Sequence, residues 1–184
     1  MALTPSTMVP LGSACPDFQL VDVVTQRTVS RSDFDGRPLL VMFICNHCPF
    51  VTHVQDELAR LGRDAAALSI GIVGICSNDV RTHPMDGPEE MKVMAREQAW
   101  TFPYLHDATQ AVARAFDAAC TPDFFLFSRE HALVYRGQLD DSRPGNGKPV
   151  TGSDVRTAIA CVVNGKPLAS PQRPSMGCNI KWKS

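Results

Sequence analysis

Two cysteines separated by two residues, Cys45 and Cys48, are the residues of this chain best suited to chemistry. The thiolate is the reactive form of cysteine, and two neighbouring thiols can be oxidised to a disulfide and reduced again. Pro49 follows; proline fits the first position of a helix and restricts the preceding residue to an extended, N-cap-like conformation. Because a helix N-terminus favours negative charge, the pattern predicts Cys48 as a nucleophilic thiolate, with a pKa lowered from about 8.5 into the range of roughly 3.5–7.5.

The two residues between the cysteines decide whether a disulfide can form. In a fully extended chain the two Cα atoms would lie about 10 Å apart, too far for a bridge, whereas a β-turn brings them within about 7 Å. A turn at Asn46 and His47 therefore predicts a Cys45–Cys48 disulfide as the oxidised state. His47 itself has two interpretations: an exposed loop residue, or a group that stabilises the thiolate when protonated.

The cysteine pair lies where a predicted strand meets a predicted helix. Residues 38–44 form a continuous apolar run of strand length, as found in strands that are buried on both faces of a sheet. After Pro49, apolar residues recur at spacings of three and four, which predicts an amphipathic helix that ends near Gly62. The residues of this apolar face are Val51, Val54, Leu58 and Leu61.

The remaining elements alternate between strands and helices. In chain order we predict a hairpin over Phe18–Val29, a buried strand over Ser69–Cys76, a helix that opens at Gly87–Glu90, a short helix over Thr109–Asp117, antiparallel strands over Asp123–Phe127 and Ala132–Tyr135, and a last helix over Ser153–Val163. Residues 137–152 and the tail after Asn164 are rich in glycine and proline, which predicts loops. The length of the chain predicts one domain over residues 1–184.

Composition excludes several classes of protein. The chain has 184 residues with 18 basic and 19 acidic side chains, so it lacks the positive footprint that nucleic-acid binding requires. Its start lacks the basic and apolar regions of a secretory signal, and its most apolar stretch is shorter than the roughly 18 residues of a membrane span. We therefore expect a cytoplasmic protein with reduced thiols and with no nucleic-acid or membrane partner.

Three cysteines and one histidine outside the junction are interpreted as structural. Cys15, Cys76 and Cys161 match the pattern of small, buried core residues. His53 is interpreted as a solvated residue on the surface of the predicted helix.

Three motifs together resemble those of the thioredoxin-like redoxins. They are Cys45-Asn-His-Cys-Pro-Phe-Val51, the lead-in Gly12-Ser-Ala-Cys-Pro-Asp-Phe18, and Thr121-Pro122 before Asp-Phe-Phe-Leu-Phe. The nearest branch is the peroxiredoxin-like alkyl hydroperoxide reductase and thiol-specific antioxidant (AhpC/TSA) group, and the closing Gly177–Trp182 segment is similar to a narrower set of thioredoxin-family proteins. The resemblance implies an α/β, thioredoxin-like fold with a central mixed β-sheet flanked by helices and an N-terminal hairpin extension. It covers a core of about residues 10–165, which leaves 166–184 as a C-terminal tail.

The resemblance also implies roles for the residues at the junction. In peroxiredoxins the peroxide-attacking cysteine is followed by proline and preceded three residues earlier by threonine. Here Cys48 and Pro49 match that pattern, but Cys45 stands at the threonine position, which disfavours ordinary peroxidase activity. In thioredoxins the first cysteine of the pair is the nucleophile, so the position of Pro49 implies a reversed order. A cis-proline loop lies against the reactive cysteine in this superfamily, and the resemblance implies that role for Thr121 and Pro122.

Three further residues receive supporting roles. The resemblance implies that Cys120 lies close to the reactive cysteine. Arg143 is expected either to stabilise the Cys48 thiolate, as an arginine does in peroxiredoxins, or to pair with the aspartates of its own loop. Cys178 is expected either to exchange with the active site from the tail or to be an exposed, unpaired cysteine.

The leading functional hypothesis is a thiol–disulfide oxidoreductase with antioxidant activity that needs no cofactor. Cys48 would attack a disulfide or a peroxide, and Cys45 would resolve the product as an internal disulfide. The partners would be protein or low-molecular-weight disulfides, peroxides, and a thiol electron donor. Two alternatives stay open: Cu(I) or Zn binding through Cys45, Cys48 and His47, and a redox-inactive binding module on the same scaffold.

Overall fold

A computed structural model describes residues 3–168 and 171–183. The strands are β1 (Leu3–Pro5), β2 (Gln19–Asp22), β3 (Thr28–Ser30), β4 (Leu39–Phe43), β5 (Gly71–Cys76), β6 (Tyr104–His106), β7 (Cys120–Thr121), β8 (Asp123–Phe127), β9 (Leu133–Gly137) and β10 (Met176–Asn179). The helices are α1 (Pro49–Leu68), α2 (Pro88–Glu97), α3 (Ala111–Ala115) and α4 (Ser153–Val163), and 3-10 turns span Arg31–Phe34 and Pro84–Asp86.

The central sheet has seven strands in the order β3-β2-β6-β5-β4-β8-β9. Its middle is parallel, since β4 pairs with β5 and β5 pairs with β6 in the same direction. The flanking pairs are antiparallel, including β4 with β8 and the hairpin β2–β3. The structure therefore confirms both the predicted mixed sheet and the predicted N-terminal hairpin.

Strand β4 is buried over its whole length because both faces of the sheet are covered. Its alternate residues divide between two hydrophobic clusters, as the two-residue period of a strand requires. Leu40 and Met42 pack in the same cluster as buried residues of α1, α2 and α4. Leu39, Val41 and Phe43 pack in the other, together with α3. The junction after β4 is thus held by a rigid strand between helical layers.

Helix α1 is longer than predicted, because Gly62 does not end it. The helix runs to Leu68, and its C-cap residue Ser69 adopts a left-handed conformation with φ 55°. A Cβ at position 62 would lie 2.9 Å from the side chains of both Thr101 and Phe102, so the glycine allows close packing within the helix. A glycine required by packing was therefore misinterpreted as a helix stop.

The C-terminal tail is not the continuous loop that its composition predicts. Strand β10 lies within it and forms a second sheet of three strands, in the order β1-β10-β7. Cys178 is paired with Thr121 of β7 on one side and with Leu3 of β1 on the other. A Cβ at Gly177 would collide with the carbonyl group of Thr121, so the glycine permits this close approach.

Two other sequence predictions can be compared with the fold. Residues 138–152, between β9 and α4, contain no helix or strand, as their glycine and proline content predicts. Among the residues that the structure describes, no helix is both long and apolar enough to cross a membrane.

Replacing Gly177 by alanine tests the close pairing of β10 with β7. The added methyl group collides with the Thr121 carbonyl, so the strand must shift, at a cost of about 1–3 kcal/mol for such overpacking. Hydrogen–deuterium exchange should become faster in β10 and β1, while the amides of β4 and β5 stay protected. Unchanged protection of β10 in the variant would contradict the close approach.

Candidate active site

Cys48 occupies the N-cap position of α1, as the following proline predicts. Its backbone is extended, with φ −81° and ψ 120°, and Pro49 is the first residue of the helix. The Cys48 carbonyl accepts hydrogen bonds from the backbone N–H groups of Val51 at 2.9 Å and Thr52 at 3.0 Å. The cap therefore forms through the backbone, and the Cys48 sulfur is left for other contacts.

A buried carboxylate holds the bend between the two cysteines. Oδ1 of Asp86 accepts hydrogen bonds from the backbone N–H of Asn46 at 2.8 Å and of His47 at 3.3 Å. Oδ2 lies 2.5 Å from Nδ1 of His47 and accepts a second hydrogen bond from the amide of Asn78 at 2.8 Å. Asp86 is completely buried, and the His47 side chain is only 17% exposed. The interpretation of His47 as an exposed loop residue is therefore wrong.

Both cysteine sulfurs contact Thr121. Sγ of Cys45 lies 3.3 Å from the hydroxyl oxygen of Thr121, and Sγ of Cys48 lies 3.2 Å from its carbonyl oxygen. The Thr121-Pro122 peptide bond is cis, as the family resemblance implies. Strand β7 thus brings Thr121 from a distant part of the chain onto the cysteine pair.

The hydrogen bonds around the pair shift the pKa values of the two thiols in opposite directions. The pKa of Cys48 is lowered to about 4, because its thiolate accepts a hydrogen bond from the Cys45 thiol, and further ones from Cys178 and Thr121, which together outweigh the effect of burial. The pKa of Cys45 is raised well above its ordinary value by its hydrogen bond to Cys48, by burial and by the nearby Asp86 charge. A protonated Cys48 has the Thr121 carbonyl as an acceptor, whereas the thiolate has three side-chain donors. These opposite shifts favour the proton on Cys45 and the negative charge on Cys48.

The thiols are closed off from solvent. Cys48 is 0% exposed, Cys45 is 1% exposed, and Cys178, on β10, is 4% exposed. The thiol of Cys178 hydrogen-bonds to that of Cys48, and burial raises the Cys178 pKa to about 12. The interpretation of Cys178 as an exposed tail cysteine is wrong, because the tail strand places it inside the site.

Cys120 and Arg143 lie beside the site in different ways. Cys120 is completely buried next to Thr121, and its Sγ lies 3.7 Å from the carbonyl of Pro122. Arg143 donates to the carbonyls of Asp140 at 2.7 Å and Ser142 at 2.6 Å, and also to the Gln138 side chain at 2.7 Å. Both expectations for this arginine are therefore corrected: it binds the backbone of its own loop, not the aspartate carboxylates and not the Cys48 sulfur.

Two of the four predictions for the cysteines and the histidine outside the junction are confirmed, and two are wrong. Cys15 and Cys76 are buried core residues, as predicted. Cys161 is only partly buried on α4, which corrects its assignment to the core. His53 is also partly buried, and its Nε2 is inaccessible, so it is not a solvated surface residue.

The predicted metal set differs from the group that the fold assembles. Among the described residues, Cys45, His47 and Asp86 have potential ligand atoms within 4.8 Å of one another, so Asp86 takes the place expected for Cys48. Asp86 and His47 already satisfy each other through a hydrogen bond, and Asp86 also supports the bend. Structural Zn sites use four ligands, so these three groups fit a hydrogen-bonded support better than a metal site.

Asp86 is the principal functional residue that the sequence patterns do not predict, because no motif or spacing links it to the cysteine pair. It lies in a 3-10 turn between β5 and α2, 40 residues after Asn46, to which it is hydrogen-bonded. Only the parallel pairing of β4 with β5 brings this turn to the end of β4.

Comparison with known proteins shows the family and the fold of the chain. Residues 11–136 match the family described as the AhpC/TSA family. An uncharacterized conserved protein from Geobacillus kaustophilus is 50% identical, with a TM-score of 0.97 over 100% of this chain and 97% of that chain. A hypothetical protein from Sinorhizobium meliloti is 46% identical, with a TM-score of 0.96 over 98% of this chain and 99% of that chain.

More distant structures share the fold. A putative thiol:disulfide interchange protein DsbE from Chlorobium tepidum has a TM-score of 0.66 at 16% identity, over 84% of this chain and 98% of that chain. Since the identity is low, this likeness shows the thioredoxin-like fold and nothing finer. No curated protein matches the chain.

Alkylation across a range of pH tests which thiol carries the charge. Iodoacetamide reacts with thiolates, so Cys48 should be modified first in the reduced protein, with an apparent pKa well below that of free cysteine at about 8.5. Because the folded-state pKa is lowered, labelling of Cys48 should persist at neutral pH and decline only in acid. Mass spectrometry locates the modified residue, and faster labelling of Cys45 would contradict the order of roles.

Mild oxidation tests the bend between the cysteines. Peptide mapping should find a Cys45–Cys48 bridge as the main disulfide of the wild-type protein, and this bridge must be absent from the Cys45→Ser and Cys48→Ser variants. A map dominated by a bridge from Cys48 to Cys120 or to Cys178 would show that Cys45 is not the first resolving thiol. A chain that retains every free thiol would support the redox-inactive binding module.

Proposed function

The chain belongs to the AhpC/TSA family, and on that premise we propose that it is a thiol–disulfide oxidoreductase in which Cys48 is the nucleophile and Cys45 the resolving thiol. The proposal is carried by one arrangement: the two sulfurs lie at the N-terminus of α1, both in contact with Thr121, and their hydrogen bonding shifts the two pKa values in opposite directions. The Cys48 sulfur can attack as a thiolate, and the Cys45 thiol keeps its proton until the second exchange.

The reaction proceeds by two successive thiol–disulfide exchanges. The Cys48 thiolate attacks one sulfur of the substrate disulfide; the substrate S–S bond breaks, and the released thiolate takes a proton. Cys45 then loses its proton and attacks Cys48 in the mixed disulfide, which releases the second substrate thiol. The substrate gains two electrons and two protons, and the protein is left with a Cys45–Cys48 disulfide that an external dithiol donor reduces again.

Disulfides are better substrates for this site than peroxides. A peroxide must be held by strong hydrogen-bond donors while its O–O bond breaks, and a thiol is a weak donor compared with a hydroxyl. Cys45 occupies the position where peroxiredoxins carry threonine, and the Thr121 hydroxyl is already in contact with the Cys45 sulfur. Arg143 is engaged by its own loop. Attack by Cys45 on a mixed disulfide needs only proximity and a thiolate.

The cysteine content supports action in a reducing compartment such as the cytoplasm. All seven cysteines are free thiols in the structure, as expected of a protein whose thiols are kept reduced. The natural partners on this proposal are protein or low-molecular-weight disulfides, together with a thiol donor.

Two assays on one preparation test the choice of substrate. Reduction of insulin disulfides, with dithiothreitol as the donor, should be readily measurable, whereas stopped-flow kinetics should show slow turnover of hydrogen peroxide. Cys48→Ser should reduce the insulin activity to the uncatalysed background. Cys161→Ser, a matched control on the partly buried cysteine of α4, should leave the activity unchanged.

Fast, saturable consumption of peroxide without any disulfide activity would reverse the assignment. The protein would then be a peroxidase whose pocket binds peroxide without the usual threonine. Bound copper or zinc at one equivalent per chain, found by elemental analysis of the purified protein, would instead favour the metal-binding alternative.

A further inference from the structure

The site contains a third thiol that the proposed reaction does not use. Cys178 lies opposite Thr121, whose carbonyl oxygen is 3.2 Å from the Cys48 sulfur, and hydrogen bonds from its side chain and backbone favour the Cys48 thiolate. Cys48 is therefore in contact with two thiols, Cys45 from its own bend and Cys178 from the C-terminal strand.

Strand β10 is fixed at both ends of the segment that carries Cys178. Before the strand, Ser175 donates to the Pro122 carbonyl at 2.5 Å and exchanges backbone and side-chain hydrogen bonds with Ser6 at 3.0 and 2.6 Å. After the strand, the Lys181 backbone N–H donates to Asn78 at 2.8 Å. Cys178 is thus positioned by the fold and is not a thiol on a free tail.

The pairing of β10 with β7 directs two sulfurs to one place. Cys178 is opposite Thr121 in the antiparallel pair, where Cα atoms are separated by about 4.5–5.5 Å. Thr121 is also the residue whose carbonyl lies 3.2 Å from the Cys48 sulfur. Gly177 has no side chain to hold the two strands apart. A disulfide forms when the two sulfurs approach to about 2.05 Å.

We propose that Cys178 is a second resolving thiol, which forms a disulfide with Cys48 and thereby ties the C-terminal strand across the site. The proposal rests on the proposed function, because it needs Cys48 to form a mixed disulfide first. Cys178 then loses its proton and attacks the Cys48 sulfur; the bond from Cys48 to the substrate breaks, and the substrate thiol leaves with the proton. The two electrons come from Cys48 and Cys178, and the oxidant is the substrate disulfide.

The two resolving thiols have different consequences for the fold. A Cys45–Cys48 bridge lies within one bend and leaves β10 free to separate from β7. A Cys48–Cys178 bridge joins the start of α1 to β10 and holds this strand in place. Reduction of this second bridge by an external thiol restores the starting state. The closed disulfide would therefore protect oxidised Cys48 from further exchange until a donor arrives.

The experiment counts the coloured thiolate ions that are released from each molecule of a disulfide reagent. The probe is 5,5′-dithiobis(2-nitrobenzoic acid), added below one equivalent to Cys45→Ser protein that also carries Cys161→Ser, since Cys161 is only partly buried. Attack by Cys48 releases one nitrothiobenzoate ion, and attack by Cys178 on the mixed disulfide releases a second. We expect two ions per reagent molecule, and a Cys48–Cys178 linkage in the peptide map. Cys45→Ala in the same background repeats the test should the serine variant fail to fold.

The matched variant adds Cys178→Ser to the same protein. Serine keeps a hydrogen-bond donor beside Cys48 but cannot form a disulfide, so one ion per reagent molecule is expected, with Cys48 left as a stable mixed disulfide. Release of one ion by the Cys178-containing protein, or of two ions by the matched variant, would overturn the role of Cys178. Failure of Cys48 to form any mixed disulfide in the variant that lacks Cys45, Cys161 and Cys178 would instead overturn the proposed function.

Discussion

A negative charge on the Cys48 sulfur is the constraint on which the rest of the site depends, because burial removes the water that would otherwise stabilise it. The missing hydration is replaced by hydrogen bonds from Cys45, Cys178 and Thr121. Cys45 keeps its proton because it donates to Cys48 and lies near the Asp86 charge. The proposed roles of nucleophile and resolving thiol rest on this asymmetry, and they reverse the order of the two cysteines in thioredoxins.

The donors come from parts of the chain that only the complete fold brings together. Strand β4 and helix α1 position the cysteine bend, β7 supplies Thr121, and the C-terminal strand supplies Cys178. The same arrangement that stabilises the thiolate also buries it. The small sheet thus contributes two of the groups beside the thiolate, and a disulfide to Cys178 would join this sheet to the cysteine bend.

Local sequence rules predicted the parts of this account that depend on neighbouring residues. Pro49 determines the N-cap of α1 through its own backbone geometry. The continuous apolar run before the cysteine pair identifies the buried strand. Gly62 was misinterpreted because a glycine required by tertiary packing has the same appearance in sequence as one that ends a helix. Sequence patterns predict no role for Asp86 and leave alternatives open for Arg143 and Cys178. The partners of these residues are set by strand pairing and loop geometry, which short sequence spacings do not encode.

Titration of the thiolate absorbance in the ultraviolet tests the central claim most directly, because it observes the charge itself without a reagent that must enter the buried site. The reduced wild-type protein should show one more thiolate than Cys48→Ser at neutral pH, and this difference should disappear in acid with a midpoint near 4. The claim is contradicted if the two proteins have the same absorbance at neutral pH, or if the difference appears only near the ordinary cysteine pKa of about 8.5.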